Sequence, residues 1–222
     1  MRLSDLGITG DEYDDIHSAL AAEGWMPIGE GHFAIVYGHA DFPEVAIRQA
    51  SSADAFVSYA WASLTHLRDF VGLHVPLVYD MVIQDDDSCV CLVERLVPFE
   101  ETEYPDDQLL SLRGARMLLA GACLDDLSLD MLDAVTEAYP RLPEFVDRYW
   151  VAMGSRITDP RLDNLMLRGG NLIVNDPQGF ALTEHEVEGF RRCGPWPGWS
   201  ESDLSALPPQ HPVVAPTAGC SR

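Results

Sequence analysis

Two short stretches in the first quarter of the chain have the residue types that bind phosphate groups. The first is the run Gly29-Glu30-Gly31-His32-Phe33, and the second ends at Arg48, directly after Val45-Ala46-Ile47. Glycine lets backbone N–H groups approach a phosphate without a Cβ in the way, and Phe33 could fold over the bound group as an apolar cover. Arg48, at the end of the next apolar run, would supply a positive charge. Together the two stretches predict a phosphate site between neighbouring strands.

Three polar residues far downstream have the types that bind a metal ion and handle a proton. Asp159 and Asn164 stand five residues apart, and Asp176 follows twelve residues after Asn164. Carboxylate and amide oxygens are hard ligands of the kind that Mg²⁺ prefers, so Asn164 and Asp176 are the predicted metal ligands. Asp159 is placed to accept or orient the proton of an attacking hydroxyl.

Hydrophobic periodicity predicts the elements that position these residues. After an N-terminal helix, it indicates strands around 33–37 and 45–47, a helix over 52–70, strands over 76–83 and 89–96, and helices over 109–123, 127–139 and 143–157. Two brief apolar runs, 165–167 and 172–174, are split by a glycine-rich turn. They predict a small hairpin whose two sides carry Asn164 and Asp176. From Pro177 onward, frequent proline and glycine predict irregular structure.

The composition restricts the class of protein and of partner. Apolar residues make up 47% of the 222 residues, which is enough for a sizeable core. The net charge is −22, and all 14 basic residues are arginines, because the sequence contains no lysine. A surface this acidic disfavours direct DNA or RNA binding. Five cysteines without a C-x-x-C pair, no secretory leader and no long apolar run predict a soluble, cytoplasmic protein without membrane contact.

The order of these motifs resembles that of the eukaryotic-like protein-kinase superfamily. It is more closely similar to that of the early protein kinases of short-tailed, autographivirus-type bacteriophages. The resemblance spans about residues 25 to 180 and rests on Gly29–Phe33, Tyr37, His39, Val45–Arg48, Val93–Leu96, Asp159–Met166 and Leu172–Pro177. The Gly-x-Gly-His-Phe run and the Asp-Pro pair in place of Asp-Phe-Gly are the more phage-specific pieces.

The resemblance implies an α+β fold of the compact, two-lobed protein-kinase type. Its N-lobe would be an antiparallel sheet with one helix, and its C-lobe would be helical and reduced in size. The implied division of the chain is an N-terminal helical extension (1–24), the N-lobe (25–96), the C-lobe with the catalytic hairpin (97–190) and an irregular tail (191–222).

The resemblance also implies ATP and Mg²⁺ as cofactors and assigns roles to residues. Arg48 takes the position of the ATP-binding lysine, Asp159 that of the catalytic aspartate, and Asn164 and Asp176 those of the metal ligands. Arg161, where the phage pattern usually has histidine, is grouped with the catalytic residues. The implied nucleotide-binding residues, besides Arg48, are Gly29, Gly31, Phe33, Val36, Ala46, Glu94 and Leu96. Of these, the last two would meet adenine through their backbone.

The implied activity is that of a Ser/Thr protein kinase, which transfers the γ-phosphoryl group of ATP to hydroxyls of host proteins. The sequence departs from the pattern at Arg161 and at other places: Arg48 replaces lysine, Ala34 replaces the third glycine of the turn, and the predicted helix over 52–70 has no glutamate to pair with Arg48. These departures, with the acidic charge, favour a second interpretation. It is a pseudokinase that inhibits a basic host enzyme, such as a polymerase or a defence nuclease. A third interpretation is a small-molecule kinase of the aminoglycoside or choline type.

Overall fold

The computed structural model describes residues 1–98, 106–154, 157, 164–168, 170–176 and 179–206. Its larger sheet has five antiparallel strands in the order β1-β2-β3-β5-β4. These strands are β1 (Met26–Glu30), β2 (Ala34–His39), β3 (Phe42–Ala50), β4 (Val78–Ile83) and β5 (Cys89–Glu94). The strands predicted around 33–37 and 45–47, and the strand pair that follows the first long helix, are confirmed.

β3 is buried over its second half because both faces of the sheet are covered. On one face, Ile47 packs in a cluster with helix α1 (Tyr13–Ala22) and the rest of the N-terminal segment. On the other face, Ala46 belongs to the main hydrophobic core. Most residues of helix α2 (Ala55–Ser63) pack in this core as well. Successive side chains of a strand alternate between the two faces. Arg48 therefore shares the α2-covered face with Ala46.

α2 is shorter than the helix predicted over 52–70. It ends at Ser63, after which the chain turns and forms a short 3-10 helix over Arg68–Phe70. The turn brings Leu67 and Phe70 into the main core, where both are almost fully buried. Their helical spacing in the sequence therefore indicated burial correctly, although no continuous helix carries them.

Helices and a second, three-stranded sheet follow the larger sheet. The helices α3 (Asp106–Leu119), α4 (Leu129–Ala138) and α5 (Leu142–Met153) confirm the three predicted ones. The strands β6 (Val97–Pro98), β7 (Leu165–Arg168) and β8 (Asn171–Val174) are antiparallel in that order, and β7–β8 is the predicted hairpin. The predicted α+β class, with an antiparallel sheet followed by helices, is confirmed. None of the described helices is long and apolar enough to span a membrane.

Two helices lie where the sequence predicted irregular structure, so that prediction is wrong. They are α6 (Glu184–Arg192) and α7 (Glu201–Ala206). α6 begins with a capping box, in which the Thr183 side chain accepts a hydrogen bond from the Glu186 N–H and the Glu186 carboxylate accepts one from the Thr183 N–H. This Thr-x-x-Glu pattern is a helix start signal that can be read from the sequence. The rest of the predicted tail, after residue 206, lies outside the described residues.

α3 and α4 approach each other closely at Gly114. A Cβ built on Gly114 would lie 2.5 Å from Cγ2 of Val135 and 3.6 Å from Cβ of Met131. Val135 is fully buried, so it has little space into which it can move. Glycine is a poor helix former, and its presence within α3 is explained by this close helix contact.

We expect Gly114→Ala to destabilise the protein, although alanine favours the helix, because overpacking a core typically costs about 1–3 kcal/mol. Urea unfolding measures the change in the free energy of unfolding. Gly189→Ala in α6 is the matched control, since a Cβ added there meets nothing within 4 Å. It should stabilise the protein by about 0.5–1 kcal/mol. Stabilisation by both substitutions would contradict the close contact between α3 and α4.

Candidate functional site

Arg48 is buried on the face of β3 that α2 covers, with 6% of its surface exposed. Its guanidinium meets Asp54 through two pairs of atoms, with Nη2 2.5 Å from Oδ2 and Nη1 3.3 Å from Oδ1. Nη2 also lies 3.5 Å from Oδ2 of Asp176. Its Cζ lies 4.6 Å from the centre of the Phe56 ring. The predicted phosphate-binding cation is thus held between two carboxylates and an aromatic face.

Asp54 is the acidic partner that the sequence interpretation did not find. No glutamate lies within α2, but Asp54 stands one residue before it, as the N-cap. Its carboxylate accepts a hydrogen bond from the Phe56 N–H at 3.2 Å in addition to the contacts with Arg48. Aspartate directly before an apolar helix is a common N-cap. That pattern was the available signal for a carboxylate at this end of α2.

The segment that follows Asp176 lies against the start of α2. The Ala55 N–H donates to the Phe180 carbonyl at 3.0 Å, and the Leu182 N–H donates to the Ala53 carbonyl at 3.0 Å. These two hydrogen bonds lie on either side of Asp54, which also forms an isolated β-bridge with residue 181. The position of the Asp54 carboxylate therefore depends on the chain segment next to the predicted metal ligand.

The β7–β8 hairpin brings Asn164 and Asp176 to the same end, as predicted. Leu165 pairs with Val174, and beyond that pair the Asn175 N–H donates to the Asn164 carbonyl at 2.8 Å. Asp176 is the next residue and faces Arg48. Asn164 and Asp176 thus stand at the same end of the hairpin, and Asp176 lies next to the buried cation.

β8 is held in place by a buried tyrosine and a buried histidine. The Tyr59 hydroxyl, from α2, donates to the Val174 carbonyl at 2.9 Å. The Val174 N–H donates to the His74 carbonyl at 2.9 Å, and Nδ1 of His74 lies 2.9 Å from the Leu172 carbonyl. Because β8 leads directly to Asp176, these bonds fix the carboxylate relative to α2.

The glycine-rich turn joins β1 and β2 at the end of the sheet nearest Arg48, since Val36 of β2 pairs with Arg48 of β3. The Gly31 N–H donates to the Ala34 carbonyl at 2.8 Å. A Cβ added to Gly31 would lie 3.7 Å from that carbonyl oxygen, and one added to Gly29 would lie 4.0 Å from the nearest atom, Cβ of Val36. The fold itself therefore has room for a side chain at both positions. Close approach by a bound phosphate would explain the two glycines.

The other predicted nucleotide-binding residues lie on or next to the same sheet. Val36 and Ala46 share the face of Arg48, because Val36 is its register partner and Ala46 is two residues away. The ring of Phe33 lies 4.7 Å from that of His32, edge to face. Whether these three side chains contact a nucleotide stays a prediction.

The carboxylate and the backbone N–H of Glu94 both form contacts within the protein. Its carboxylate accepts a hydrogen bond from the Leu77 N–H at 2.8 Å and lies 3.2 Å from Nε of Arg168. The Glu94 N–H donates to the Leu77 carbonyl at 2.9 Å, and the Arg95 N–H donates to the Glu44 carbonyl at 2.8 Å. Neither N–H can therefore donate to an adenine ring as the structure stands. Backbone contact with adenine through Leu96 stays a prediction.

Two predicted catalytic residues, Asp159 and Arg161, lie outside the residues that the structure describes. The described part of the site therefore comprises the residues around Arg48 and the β7–β8 hairpin. Within this part of the chain, the structure brings together Arg48, Asp54, Asn164 and Asp176.

Burial and charge determine how the groups around Arg48 ionise. Burial lowers the pKa of Arg48, but the carboxylates of Asp54 and Asp176 outweigh that effect, so its pKa is raised and it stays charged. Burial, together with the negative charge of Asp176, raises the pKa of the Tyr59 and Tyr149 phenols. Both tyrosines therefore stay neutral, and Tyr59 keeps the proton with which it binds β8.

These residues fit a magnesium-bound phosphate group. Asp176 and Asn164 would supply oxygen ligands of the type Mg²⁺ prefers, in a number that leaves positions for phosphate oxygens and water. Arg48 carries a planar guanidinium, which binds phosphate through two N–H groups at once. The open space at Gly29 and Gly31 leaves room for a phosphate group next to the turn.

Comparison with known proteins gives similarity of structure only. No protein-family model matches the sequence, and no curated protein matches it. A crystal structure of aminoglycoside phosphotransferase APH(4)-Ia is similar with a TM-score of 0.37 at 15% identity, over 77% of each chain. The apo form of a thermostable mutant of that protein gives a TM-score of 0.38 at 15% identity, over 69% of this chain and 66% of that chain. A ternary complex of the mutant with AMP-PNP and hygromycin B gives a TM-score of 0.38 at 15% identity. That alignment covers 69% of this chain and 65% of the other.

The alignment thus spans about two thirds of the length of the two mutant structures. Similarity of this extent does not determine what the present chain binds or transfers. The assignment of a function therefore depends on the residues around Arg48.

We expect Asp54→Asn to destabilise the protein, because it keeps the size of the side chain but removes the charge nearest to the buried Arg48. Loss of one partner of a buried ion pair typically costs about 3–5 kcal/mol, and the remaining Asp176 carboxylate should limit the loss here to about 2–3 kcal/mol. Urea unfolding measures it. Glu144→Gln is the control, since it removes an exposed pair with Arg141. That substitution should change the free energy of unfolding by less than about 0.5 kcal/mol, and an equal effect of both would contradict the buried pairing.

His74 should make the stability of the protein depend on pH. Burial lowers the pKa of His74, the hydrogen bond to the Leu172 carbonyl raises it less, and the nearby Arg141 lowers it again, so the folded-state pKa lies below the usual value. The unfolded chain therefore binds a proton first, at about pH 6.5. The stabilising contribution is complete above that pH and is lost as the pH falls toward the folded-state pKa.

The measurement is urea unfolding at about pH 7.5 and pH 5.5, compared between the unmodified protein and His74→Gln. We expect a smaller loss of stability on acidification in His74→Gln. His66→Gln is the control because His66 is exposed, and it should leave the pH dependence unchanged. If His74→Gln shows the same pH dependence as the unmodified protein, the buried, neutral state of His74 is wrong.

Proposed function

We propose that this chain is an ATP-dependent phosphotransferase of the protein-kinase type, which transfers the γ-phosphoryl group of ATP to a Ser or Thr hydroxyl of a protein. The observation that supports it best is the position of Arg48. This buried cation stands at the glycine-turn end of the sheet and faces Asp176, on the hairpin end that also carries Asn164. The site thus combines a phosphate-binding cation with two oxygen ligands for Mg²⁺.

The two carboxylates beside Arg48 have different roles in this proposal. Asp54, at 2.5 Å, holds the guanidinium in place, whereas Asp176, at 3.5 Å, makes the longer contact. The longer contact is the one that a phosphate group would replace. Arg48 would then bind phosphate oxygens, and Asp176 and Asn164 would hold the metal ion. Mg²⁺, when bound, neutralises charge on the phosphates.

In the proposed reaction the acceptor oxygen forms a bond to the γ-phosphorus, the bond from that phosphorus to the bridging oxygen of the β-phosphate breaks, and ADP leaves. Asp159, outside the described residues, is proposed to take the proton of the acceptor hydroxyl. The protein substrate follows from the resemblance to phage kinases, and host proteins are the proposed acceptors.

Nucleotide binding and transfer test this proposal. ATP with Mg²⁺ at about 100 times its Kd should stabilise the protein by about 2.7 kcal/mol, which raises the melting temperature by several degrees. γ-labelled ATP should label proteins of a bacterial lysate, and Asp176→Asn should reduce labelling by about 100-fold or more. Asp133→Asn, an exposed carboxylate on α4, is the control and should leave labelling unchanged. Labelling that survives in Asp176→Asn would refute the site; labelling of hygromycin B but of no protein would favour a small-molecule kinase.

A second candidate function is favoured by the same contacts. Arg48 is neutralised by two carboxylates of the protein itself, so the fold does not need a nucleotide to satisfy this buried charge. A pseudokinase would keep this pairing permanently and act through the acidic surface, with a net charge of −22, on a basic host enzyme. It predicts no thermal shift with ATP and Mg²⁺. It also predicts binding to its partner that weakens with salt and is unchanged in Asp176→Asn.

A further inference from the structure

A cavity of about 620 Å³ lies between α3 and α5. None of Arg48, Asp54, Asn164 and Asp176 lines it, although Tyr149 in its wall is close enough to Asp176 for the charge of that carboxylate to raise the pKa of the phenol. Its walls are mainly apolar and include Leu118, Leu119, Pro143, Val146 and Ile157. Pockets that bind small molecules typically measure about 300–1,000 Å³ and combine apolar walls with a few polar groups. The volume of this cavity lies within that range, and its lining is of the same type.

The inner wall carries a buried phenol. Tyr149 is 1% exposed, and within the part of the chain that the structure describes its hydroxyl has no hydrogen-bond partner. Its ring packs against that of Tyr59, whose own hydroxyl is bound to Val174. An unpaired buried hydroxyl costs free energy because it has lost its bonds to water. A ligand with a polar group at its inner end would give the Tyr149 hydroxyl the missing partner.

The mouth of the cavity is acidic and aromatic. Asp125 and Asp147 line it and are exposed, and Trp150 beside them is 48% exposed. No basic residue is among the described residues that line the cavity. Two carboxylates and an indole ring attract a cation, the first by charge and the second by the negative face of the ring. The net charge of −22 adds to the same preference.

We propose that this cavity binds a small amphipathic cation. The ligand has an apolar body between α3 and α5, a hydrogen-bonding group at its inner end against Tyr149, and a protonated amine at the mouth beside Asp125 and Asp147. The apolar walls disfavour a polyhydroxylated sugar, whose many hydroxyls would lose water without gaining partners. The two carboxylates at the mouth of the cavity disfavour an anion.

A set of probes with one common body tests the charge preference. 4-Phenylbutylamine, 4-phenylbutanol and 4-phenylbutyrate carry a cation, a neutral group and an anion on the same phenylbutyl chain. Isothermal titration calorimetry with the full chain should give the tightest binding for the amine, and binding about tenfold weaker or more for the carboxylate. No detectable binding of the amine up to about 5 mM, or equal affinity for all three probes, would overturn the proposal.

The rim carboxylates are tested with a pair of substitutions and a matched pair. Asp125→Asn with Asp147→Asn should lower the affinity for the amine to about that for the alcohol and leave the alcohol unchanged. Asp130→Asn with Asp133→Asn removes the same charge from exposed positions on α4 that do not line the cavity. It should change the affinity for the amine less than about twofold, because salt screens distant charges. An equal loss of affinity for the amine in both double variants would show that net charge alone attracts the ligand. It would contradict a specific role of Asp125 and Asp147.

The inner end is tested with Tyr149→Phe, which removes only the unpaired hydroxyl. 4-(4-Aminobutyl)phenol should bind the unmodified protein several-fold more tightly than 4-phenylbutylamine, and this advantage should disappear in Tyr149→Phe. The melting temperature without ligand reports whether the variant still folds, and we expect it not to fall. An advantage of the phenol that persists in Tyr149→Phe would contradict the assigned orientation.

Discussion

The fold of this protein has to accommodate one buried positive charge, that of Arg48. Taking a charged side chain out of water costs several kcal/mol unless opposite charges meet it in good geometry. Here the carboxylates come from two distant parts of the chain, Asp54 at the start of α2 and Asp176 after β8. The ion pairs of this guanidinium therefore link β3 to the start of α2 and to the end of the β7–β8 hairpin.

Hydrogen bonds of the backbone support the same arrangement. The segment after Asp176 forms hydrogen bonds on both sides of Asp54, and Tyr59 and His74 fix β8 through its carbonyl and N–H groups. The carboxylates are thus positioned by backbone pairing as well as by their charge. Of the two, Asp54 makes the shorter and double contact.

The sequence predicted those parts of the fold that have a strong local signal. The strands of the sheet alternate or are continuously apolar, and the β7–β8 hairpin has two apolar runs around a glycine-rich turn. Local signals did not predict the partner of Arg48, because a glutamate was sought in the helix predicted over 52–70, whereas the partner is the aspartate Asp54, which meets Arg48 only through tertiary packing. The helix α6 was missed for a different reason: nearby prolines and glycines outweighed its Thr183 capping box. Asp159 and Arg161 lie outside the described residues, so their predicted roles stay predictions.

Arg48, held by Asp54, is the group that we propose binds the phosphates of a nucleotide. The most direct test compares the affinities of adenosine, ADP and ATP, each with Mg²⁺, for the unmodified protein and for Arg48→Gln. We expect the affinity to rise with each phosphate in the unmodified protein, and most of this gain to be lost in Arg48→Gln while adenosine binds both proteins equally. The same gain per phosphate in both proteins, or no rise with phosphate in the unmodified protein, would contradict it.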